Sequence, residues 1–233
     1  MIQWVFEAAR RAEGVDRVVV ATDDERIATT VREFGGEAVL TDPTLPSGTD
    51  RTAAALEVLG EPYDCILNIQ GDEPAMHPAT VAAVVTLMRD RPDLPMATAA
   101  CPFAHPDELF NPNAVKVVVD DQHRALYFSR SPIPYLRSPT RFEPDFRPWM
   151  APDQLAHFSR HLGIYAYRPE TLRAFTKLPP HPLEQLEMLE QLRALAAGIP
   201  IGVAQTPFLS LGVDIPADVE AVEALLRERG LAR

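Results

Sequence analysis

Two aspartates stand where a carboxylate could hold a divalent metal. Asp72 lies in Gln70–Pro74 (QGDEP) after an apolar strand pattern, and open α/β sheets bind ligands at the carboxyl ends of their strands. Asp214 ends the distant segment Gly212–Asp214 (GVD). If the fold brings them together, both could share Mg²⁺ with the phosphates of a nucleoside triphosphate. Turn geometry for Asp72 and a helix-entry role for Asp214 are the alternatives.

A third segment, Ser47–Arg51 (SGTDR), follows a loop rich in turn residues and leads into a predicted helix. Thr49 is the expected N-cap of that helix. Free backbone N–H groups at a helix start, with Ser47 and Arg51 beside them, suit an anion or the polar edge of a base. A capped surface helix without a ligand is the alternative.

The segment Arg160–Tyr167 (RHLGIYAY) alternates with the period of a strand. One predicted face is apolar and belongs in the core, with Leu162, Ile164 and Ala166. The other face carries His161, Gly163, Tyr165 and Tyr167. A face with a histidine and two tyrosines beside Arg160 could line a pocket for a sugar acid. The alternative is a polar strand face turned to solvent.

A leucine-rich segment, residues 182–197, is predicted to form one helix. Leucines recur at every third residue and predict a core face made of Leu183, Leu186, Leu189 and Leu192. The remaining positions are mostly polar: Glu184, Glu187, Glu190 and Gln191. Glu190 can pair with Arg193 at a spacing of i,i+3, so the pattern alone predicts a solvated polar face.

The elements that must position these segments alternate between strand and helix. Strands are predicted at Arg17–Thr22, Glu37–Thr41, Asp64–Gln70 and Met96–Cys101, and helices at residues 2–13, 24–34, 51–59 and 78–89. This rhythm predicts the α/β class, with a doubly wound, mostly parallel sheet. The first predicted element of this chain is a helix, whereas a doubly wound sheet usually begins with a strand that lies at its centre.

The middle of the chain departs from that rhythm. Ala114–Asp120, Arg124–Ser129 and His161–Tyr167 are predicted strands without long helices between them. We therefore expect one domain, residues 1–233, with an inserted or edge β-region at about residues 120–175. The last third returns to helix, strand (Ile201–Gln205) and helix (Ala217–Glu228).

Composition excludes several classes of function. The net charge of −11 argues against a nucleic-acid surface, and no apolar run approaches the length of a membrane helix. We therefore expect neither nucleic acid nor a membrane as a partner. Cys65 and Cys101 lie in apolar stretches without metal-type spacing, which predicts reduced thiols in a cytoplasmic protein.

The order and wording of seven segments resemble the 3-deoxy-manno-octulosonate (Kdo) cytidylyltransferases: SGTDR at residue 47, NIQGDEP at 68, FNPNAVKVV at 110, ALYFSR at 125, RHLGIYAY at 160, PLEQLEMLEQLR at 182 and GVD at 212. The resemblance implies a Rossmann-like nucleotide-diphospho-sugar transferase fold. It also implies transfer of CMP from CTP to Kdo for lipopolysaccharide synthesis. Members of the family are commonly dimers, so a homodimer is expected.

The resemblance also assigns roles by position. Asp72 and Asp214 match the magnesium aspartates of the family, and Ser47 and Arg51 fall in its CTP-binding loop. Positions that match its Kdo contacts are Gln70, His161, Tyr165, Glu190 and Gln191. Arg137 matches, on a looser alignment, an arginine that meets the sugar carboxylate.

The chain departs from the family at its start, where the first strand and the Arg- and Lys-bearing phosphate loop have no counterpart. Two explanations are open: a wrongly chosen start codon, or a truncated, non-catalytic remnant. Under either one, we expect residues 1–233 alone to be inactive or poorly stable. A sialic-acid type cytidylyltransferase is the nearest rival enzyme.

Overall fold

The computed structural model describes residues 1–137, 145–213 and 215–230. Its helices are α1 (Ile2–Arg10), α2 (Glu25–Glu33), α3 (Gly48–Leu59), α4 (Pro78–Asp90), α5 (Pro169–Phe175), α6 (Pro182–Glu187), α7 (Gln191–Ala196) and α8 (Asp218–Glu228). Its strands are β1 (Val19–Thr22), β2 (Glu37–Leu40), β3 (Ile66–Ile69), β4 (Met96–Pro102), β5 (Lys116–Val119), β6 (Ala125–Ser129), β7 (Ser159–Tyr167) and β8 (Ile201–Gln205). Short 3₁₀ helices lie at Pro106–Phe110, Arg147–Trp149 and Pro152–His157.

The strands form two sheets within the described residues. β1 and β2 pair in parallel as a two-stranded sheet. A six-stranded sheet has the order β6-β5-β7-β4-β8, and β3 also pairs with β7. The α/β class predicted from the sequence is confirmed, and the sheet is mixed: β4 and β8 are parallel, whereas β7 runs antiparallel to β3, β4 and β5.

Strand β7 is the centre of the larger sheet. One edge pairs with β4 along nearly its whole length, and the other edge passes from β5 near Arg160 to β3 near Ile164. The ladder with β4 is interrupted, since Thr98 lies opposite Tyr165 while the next residue, Ala99, lies opposite Leu162. β7 therefore carries extra residues in a β-bulge, which bends a strand and re-aims its side chains.

The alternation predicted for β7 is confirmed. Leu162, Ile164 and Ala166 are buried in one cluster with apolar residues of α4. Tyr167 faces the opposite cluster, which is built from α5, α7 and β8. The two faces of β7 thus contact two different apolar layers, as expected when helices cover both faces of a sheet.

The leucine-rich segment is not the single helix that the sequence pattern predicted. Met188 adopts a left-handed conformation (φ 51°) and separates α6 from α7. The predicted core face is therefore wrong in its first half: Leu186 is 82% exposed and Leu183 is also exposed. Leu189 and Leu192, which follow the break, are buried as expected.

Cys65 and Cys101 are both free thiols. In the part of the chain that the structure describes, no helix has the length and apolar character needed to cross a bilayer.

Candidate active site

The first turn of α3 is fixed by Ser47 and not by Thr49. Ser47 is the N-cap: its Oγ accepts a hydrogen bond from the backbone N–H of Asp50 (3.1 Å) and donates to the Asp50 carboxylate (2.6 Å). The prediction that Thr49 is the N-cap is therefore wrong by two residues, and Thr49 is instead buried. At Gly48, a Cβ atom would come within 3.1 Å of the Gln70 carboxamide, so this close approach favours glycine.

Arg51 reaches from α3 to the carboxyl ends of β1 and β2. Its Nη1 donates to Oγ1 of Thr41 (2.6 Å), just after β2, and its Nη2 lies 3.4 Å from Asp23, just after β1. Parallel strands present their carboxyl ends on the same edge of a sheet, which is where ligands bind in α/β folds. The predicted nucleotide-binding residues Ser47 and Arg51 thus lie at the edge of the β1–β2 sheet, in the first turn of a helix.

A chain of polar side chains joins α3, β3 and the start of α7. Thr49 Oγ1 donates to Glu190 (2.5 Å), Asn68 Nδ2 donates to Thr49 Oγ1 (3.4 Å), and Gln70 Nε2 donates to Asn68 Oδ1 (3.3 Å). This links Gln70 and Glu190, two predicted sugar-acid contacts from distant parts of the sequence. Thr49 and Asn68 were not predicted as site residues, and the only sequence signal is a polar Asn inside an apolar strand.

The glutamates around the α6–α7 break do not form the solvated face that the pattern predicted. Glu190 pairs with Arg193 (3.0 Å), as its spacing indicated, and Arg193 also binds Glu184 (2.8 Å). Glu187 accepts hydrogen bonds from Ser129 Oγ (2.7 Å) and from the backbone N–H of Arg130 (2.9 Å). These carboxylates are held by partners from several elements.

Gln191 follows Glu190 and is almost completely buried. Its Nε2 has no hydrogen-bond partner among the described residues. A buried amide without a partner costs free energy, and a ligand oxygen could supply the missing acceptor. Arg193 Nε is likewise buried and has no hydrogen-bond partner among the described residues.

The polar face of β7, called the enclosed face below, packs against neighbouring side chains, so the solvent-facing alternative is wrong: Tyr167 is buried, and His161 and Tyr165 are half-buried. The ring centroids of His161 and Tyr165 are 5.5 Å apart, and Tyr165 lies opposite Asn68 in the ladder with β3. Burial lowers the pKa of His161 far below its ordinary value and raises the pKa of Tyr165 well above its own. Both side chains are therefore neutral near pH 7 and can exchange hydrogen bonds with a polar ligand.

The loop after β3 carries Asp72 and is tied to the segment after β8. The backbone O of Asp72 accepts from the N–H of Val213 (2.8 Å), and Glu73 accepts from Ser210 Oγ (2.5 Å). The guanidinium of Arg229, just beyond α8, donates to the carbonyls of Ala75 (2.6 Å) and Leu209 (2.5 Å). Asp214 lies outside the described residues, so its position relative to Asp72 stays a prediction.

The donor set fits Mg²⁺ only together with a substrate. Among residues 1–137, 145–213 and 215–230, no group of three or more His, Cys, Asp or Glu side chains could hold a metal. Asp72 is exposed at the carboxyl end of β3. Mg²⁺ is commonly held by one or two carboxylates with water and substrate phosphates, so a single oxygen donor at this place is compatible with that ion.

Arg137 is not brought into this group. It is exposed, and it follows the Ile133–Pro134 cis peptide by three residues. None of the hydrogen bonds that the described residues make within the polar network involves it. Its proposed contact with a carboxylate stays a prediction.

The fold and this site together define a nucleotidyltransferase, and comparison with known proteins agrees. Residues 1–201 match the family described as Cytidylyltransferase. A protein of Syntrophobacter fumaroxidans called 3-deoxy-manno-octulosonate cytidylyltransferase is 46% identical over 98% of this chain and 87% of its own length. The protein of the same name from Leptospira biflexa is 45% identical, over 99% and 87%.

A solved structure gives the same result in three dimensions. The structure of CMP:2-keto-3-deoxy-manno-octonic acid synthetase complexed with CTP superposes with a TM-score of 0.84 and 41% identity, over 98% of this chain and 88% of the other. The chain therefore belongs to the cytidylyltransferase family, within the group of 3-deoxy-manno-octulosonate cytidylyltransferases.

Proposed function

We propose that this protein transfers CMP from CTP to the anomeric hydroxyl of Kdo, giving CMP-Kdo and pyrophosphate for lipopolysaccharide synthesis. The observation that carries the proposal is the polar chain from Gln70 through Asn68 and Thr49 to Glu190. It connects the first turn of α3, the expected CTP side, with Gln70 and Glu190, which are expected on the sugar-acid side. Two substrates held at these places would lie next to each other.

On the sugar-acid side, we propose that hydrogen-bonding groups, most of them neutral, hold Kdo. His161 and Tyr165 offer a ring nitrogen and a phenol, while Gln70 and Gln191 offer carboxamides, and Glu190 offers a carboxylate already oriented by Thr49 and Arg193. Polyhydroxylated ligands require many donors and acceptors in fixed positions. Arg137 is proposed to meet the carboxylate of Kdo.

On the nucleotide side, we propose that Ser47 and Arg51 bind CTP. Arg51 is partly exposed and is oriented by Thr41 and Asp23. A guanidinium held in this way can donate to a base edge or to an anion without losing more side-chain freedom. Backbone N–H groups of the first α3 turn add donors.

Asp72 and Asp214 are proposed to hold Mg²⁺ with the phosphates of CTP. When bound, such an ion offsets phosphate charge and favours departure of pyrophosphate. The hydrogen bond from Val213 to Asp72 supports this pairing, because it ties the loop of Asp72 to the residue that precedes Asp214.

In the proposed reaction, the anomeric oxygen of Kdo forms a bond to the α-phosphorus of CTP. The bond from that phosphorus to the bridging oxygen of pyrophosphate breaks, and the hydroxyl proton is released to solvent. Such transfers depend on positioning and charge more than on a protein nucleophile. The side chains described above accordingly bind and orient the substrates. A homodimer and a cytoplasmic location are further parts of the proposal.

Pyrophosphate release is the direct test, with the full protein as its gene encodes it. We expect release that requires CTP, Kdo and Mg²⁺ together, and CMP-Kdo as the second product. N-acetylneuraminate in place of Kdo should give little or no release. Turnover with N-acetylneuraminate but not with Kdo would refute the proposed substrate.

A further inference from the structure

The bulge between β4 and β7 places a buried hydroxyl against the ring of His161. Thr98 is fully buried. Its Oγ1 lies 2.7 Å from the carbonyl O of Ile164, 3.3 Å from that of Leu162, and 2.9 Å from Nε2 of His161. Three polar atoms therefore share one hydroxyl, which has a single proton to donate.

The proton of that hydroxyl can be assigned from the acceptors around it. A backbone carbonyl only accepts hydrogen bonds, and the carbonyl of Ile164 is the nearer of the two. If the hydroxyl instead donated to His161, two oxygens would face each other at 2.7 Å with no proton between them. Thr98 therefore donates to Ile164 and accepts from His161.

The tautomer of His161 follows from this direction. In a neutral imidazole, one nitrogen carries the proton and the other has a lone pair. If Nε2 donates to Thr98, then Nδ1 is the acceptor. No hydrogen bond to Nδ1 is present among the described residues, and the ring contacts those of Phe128 and Tyr165, with centroids 5.0 Å and 5.5 Å away.

We infer that Thr98 is a positioning residue, which fixes the Nε2–H tautomer of His161 so that Nδ1 accepts a hydrogen bond from a hydroxyl of the sugar acid. The ligand group at this nitrogen is then a donor and not the carboxylate, which can only accept. The identity of the ligand rests on the proposed function. The tautomer is a property of the free protein and is independent of it.

The first test is the ¹⁵N NMR spectrum of the free protein labelled at its histidines, at pH 7. His161→Gln assigns the signals of the ring. We expect a pyridine-type Nδ1 and a pyrrole-type Nε2 for His161. A pyrrole-type Nδ1 in the unmodified protein overturns the inference, whether or not any variant folds.

Variants of Thr98 extend the test to binding. Thr98→Val removes the hydroxyl at nearly constant volume, and we expect mixed tautomers and a KM for Kdo raised about five- to tenfold, with the KM for CTP unchanged. Thr98→Ser keeps the hydroxyl and should keep both properties. A Thr98→Val protein with an unchanged tautomer, or with both KM values raised equally, contradicts the positioning role.

Thr80 offers a matched control. Its hydroxyl is also buried and lies 3.1 Å from that of Thr206, away from His161. Thr80→Val should reduce stability without changing the His161 spectrum or the KM for Kdo. If Kdo is not a substrate, no variant turns it over, but the spectra of the unmodified protein and of Thr98→Val still decide the tautomer.

Discussion

The two sides of the candidate site are built differently. On the sugar-acid side, His161 and Tyr165 are half-buried and neutral, and Asn68 is buried and already bonded to Thr49 and Gln70. On the phosphate side, Asp72 is exposed, and its side chain makes no hydrogen bond within the described residues. Burying an unpaired charge is expensive, whereas burying paired neutral groups is not. The neutral side is therefore buried and largely hydrogen-bonded, whereas the carboxylate of Asp72 stays in water.

The largest effect is expected on the exposed side. Asp72→Asn should lower kcat for CMP-Kdo formation by about a hundredfold or more, because charge neutralisation at the phosphates is lost. The melting temperature should hardly change, since the carboxylate is exposed. Asp64→Asn, an exposed change at the opposite end of β3, is the control. An Asp72→Asn enzyme that keeps most of its turnover would remove this aspartate from the mechanism.

A smaller effect is expected on the enclosed side. Tyr165→Phe deletes one phenol hydroxyl and should raise the KM for Kdo about five- to tenfold, because one hydrogen bond to the ligand is lost. The KM for CTP should stay constant. Steady-state kinetics with each substrate varied in turn measures both values, and Tyr127→Phe is the control. An equal rise in both KM values would argue against a separate sugar-acid side.

The enclosed side should also make stability depend on pH. Because burial lowers the pKa of His161, the unfolded chain takes up a proton below about pH 6.5 that the folded chain does not. Stability from the neutral ring is thus fully present above that pH and is lost as the pH falls. Between pH 6.5 and 5, the free energy of unfolding should decrease by about 1–2 kcal/mol more than in His161→Gln. Urea denaturation at several pH values tests this, and parallel pH curves would contradict it.

The smallest effect is expected at Leu186, which the α6–α7 break leaves exposed. Leu186→Ser should change the free energy of unfolding by less than about 0.5 kcal/mol, since the side chain is exposed. Leu192→Ala should cost about 2–5 kcal/mol, because it leaves a cavity. Similar costs at both positions would mean that one continuous leucine face exists after all.

The sequence predicted the enclosed face well because its signal is local. Alternation in β7 separates Leu162, Ile164 and Ala166 from His161 and Tyr165, and the structure keeps that division. A period of two is set by the backbone of a strand and survives even a bulge. The wording of the motifs then indicated the family, and the comparisons confirmed the fold class and the type of enzyme.

The sequence failed where conformation depends on distant partners. Met188 adopts a left-handed conformation that L-residues rarely use, and nothing near it in the sequence indicates a turn. The break leaves Glu187 beside Ser129 and Arg130, contacts that span more than fifty residues. Lys116 is fully buried, and its Nζ donates hydrogen bonds to the carbonyls of Asn111 and Arg130. The apolar strand pattern around it did not predict these contacts. Burial lowers the pKa of Lys116 to about 8.

The contact between Arg229 and the carbonyl of Ala75 has a consequence for the order of assembly. The two residues are 154 positions apart. During synthesis, the loop that bears Asp72 leaves the ribosome long before the residue that fixes it. Since contacts with large sequence separation form late, the phosphate side is expected to reach its final shape only after α8 has docked. The newborn chain can therefore complete the enclosed face around β7 first and its acidic loop last.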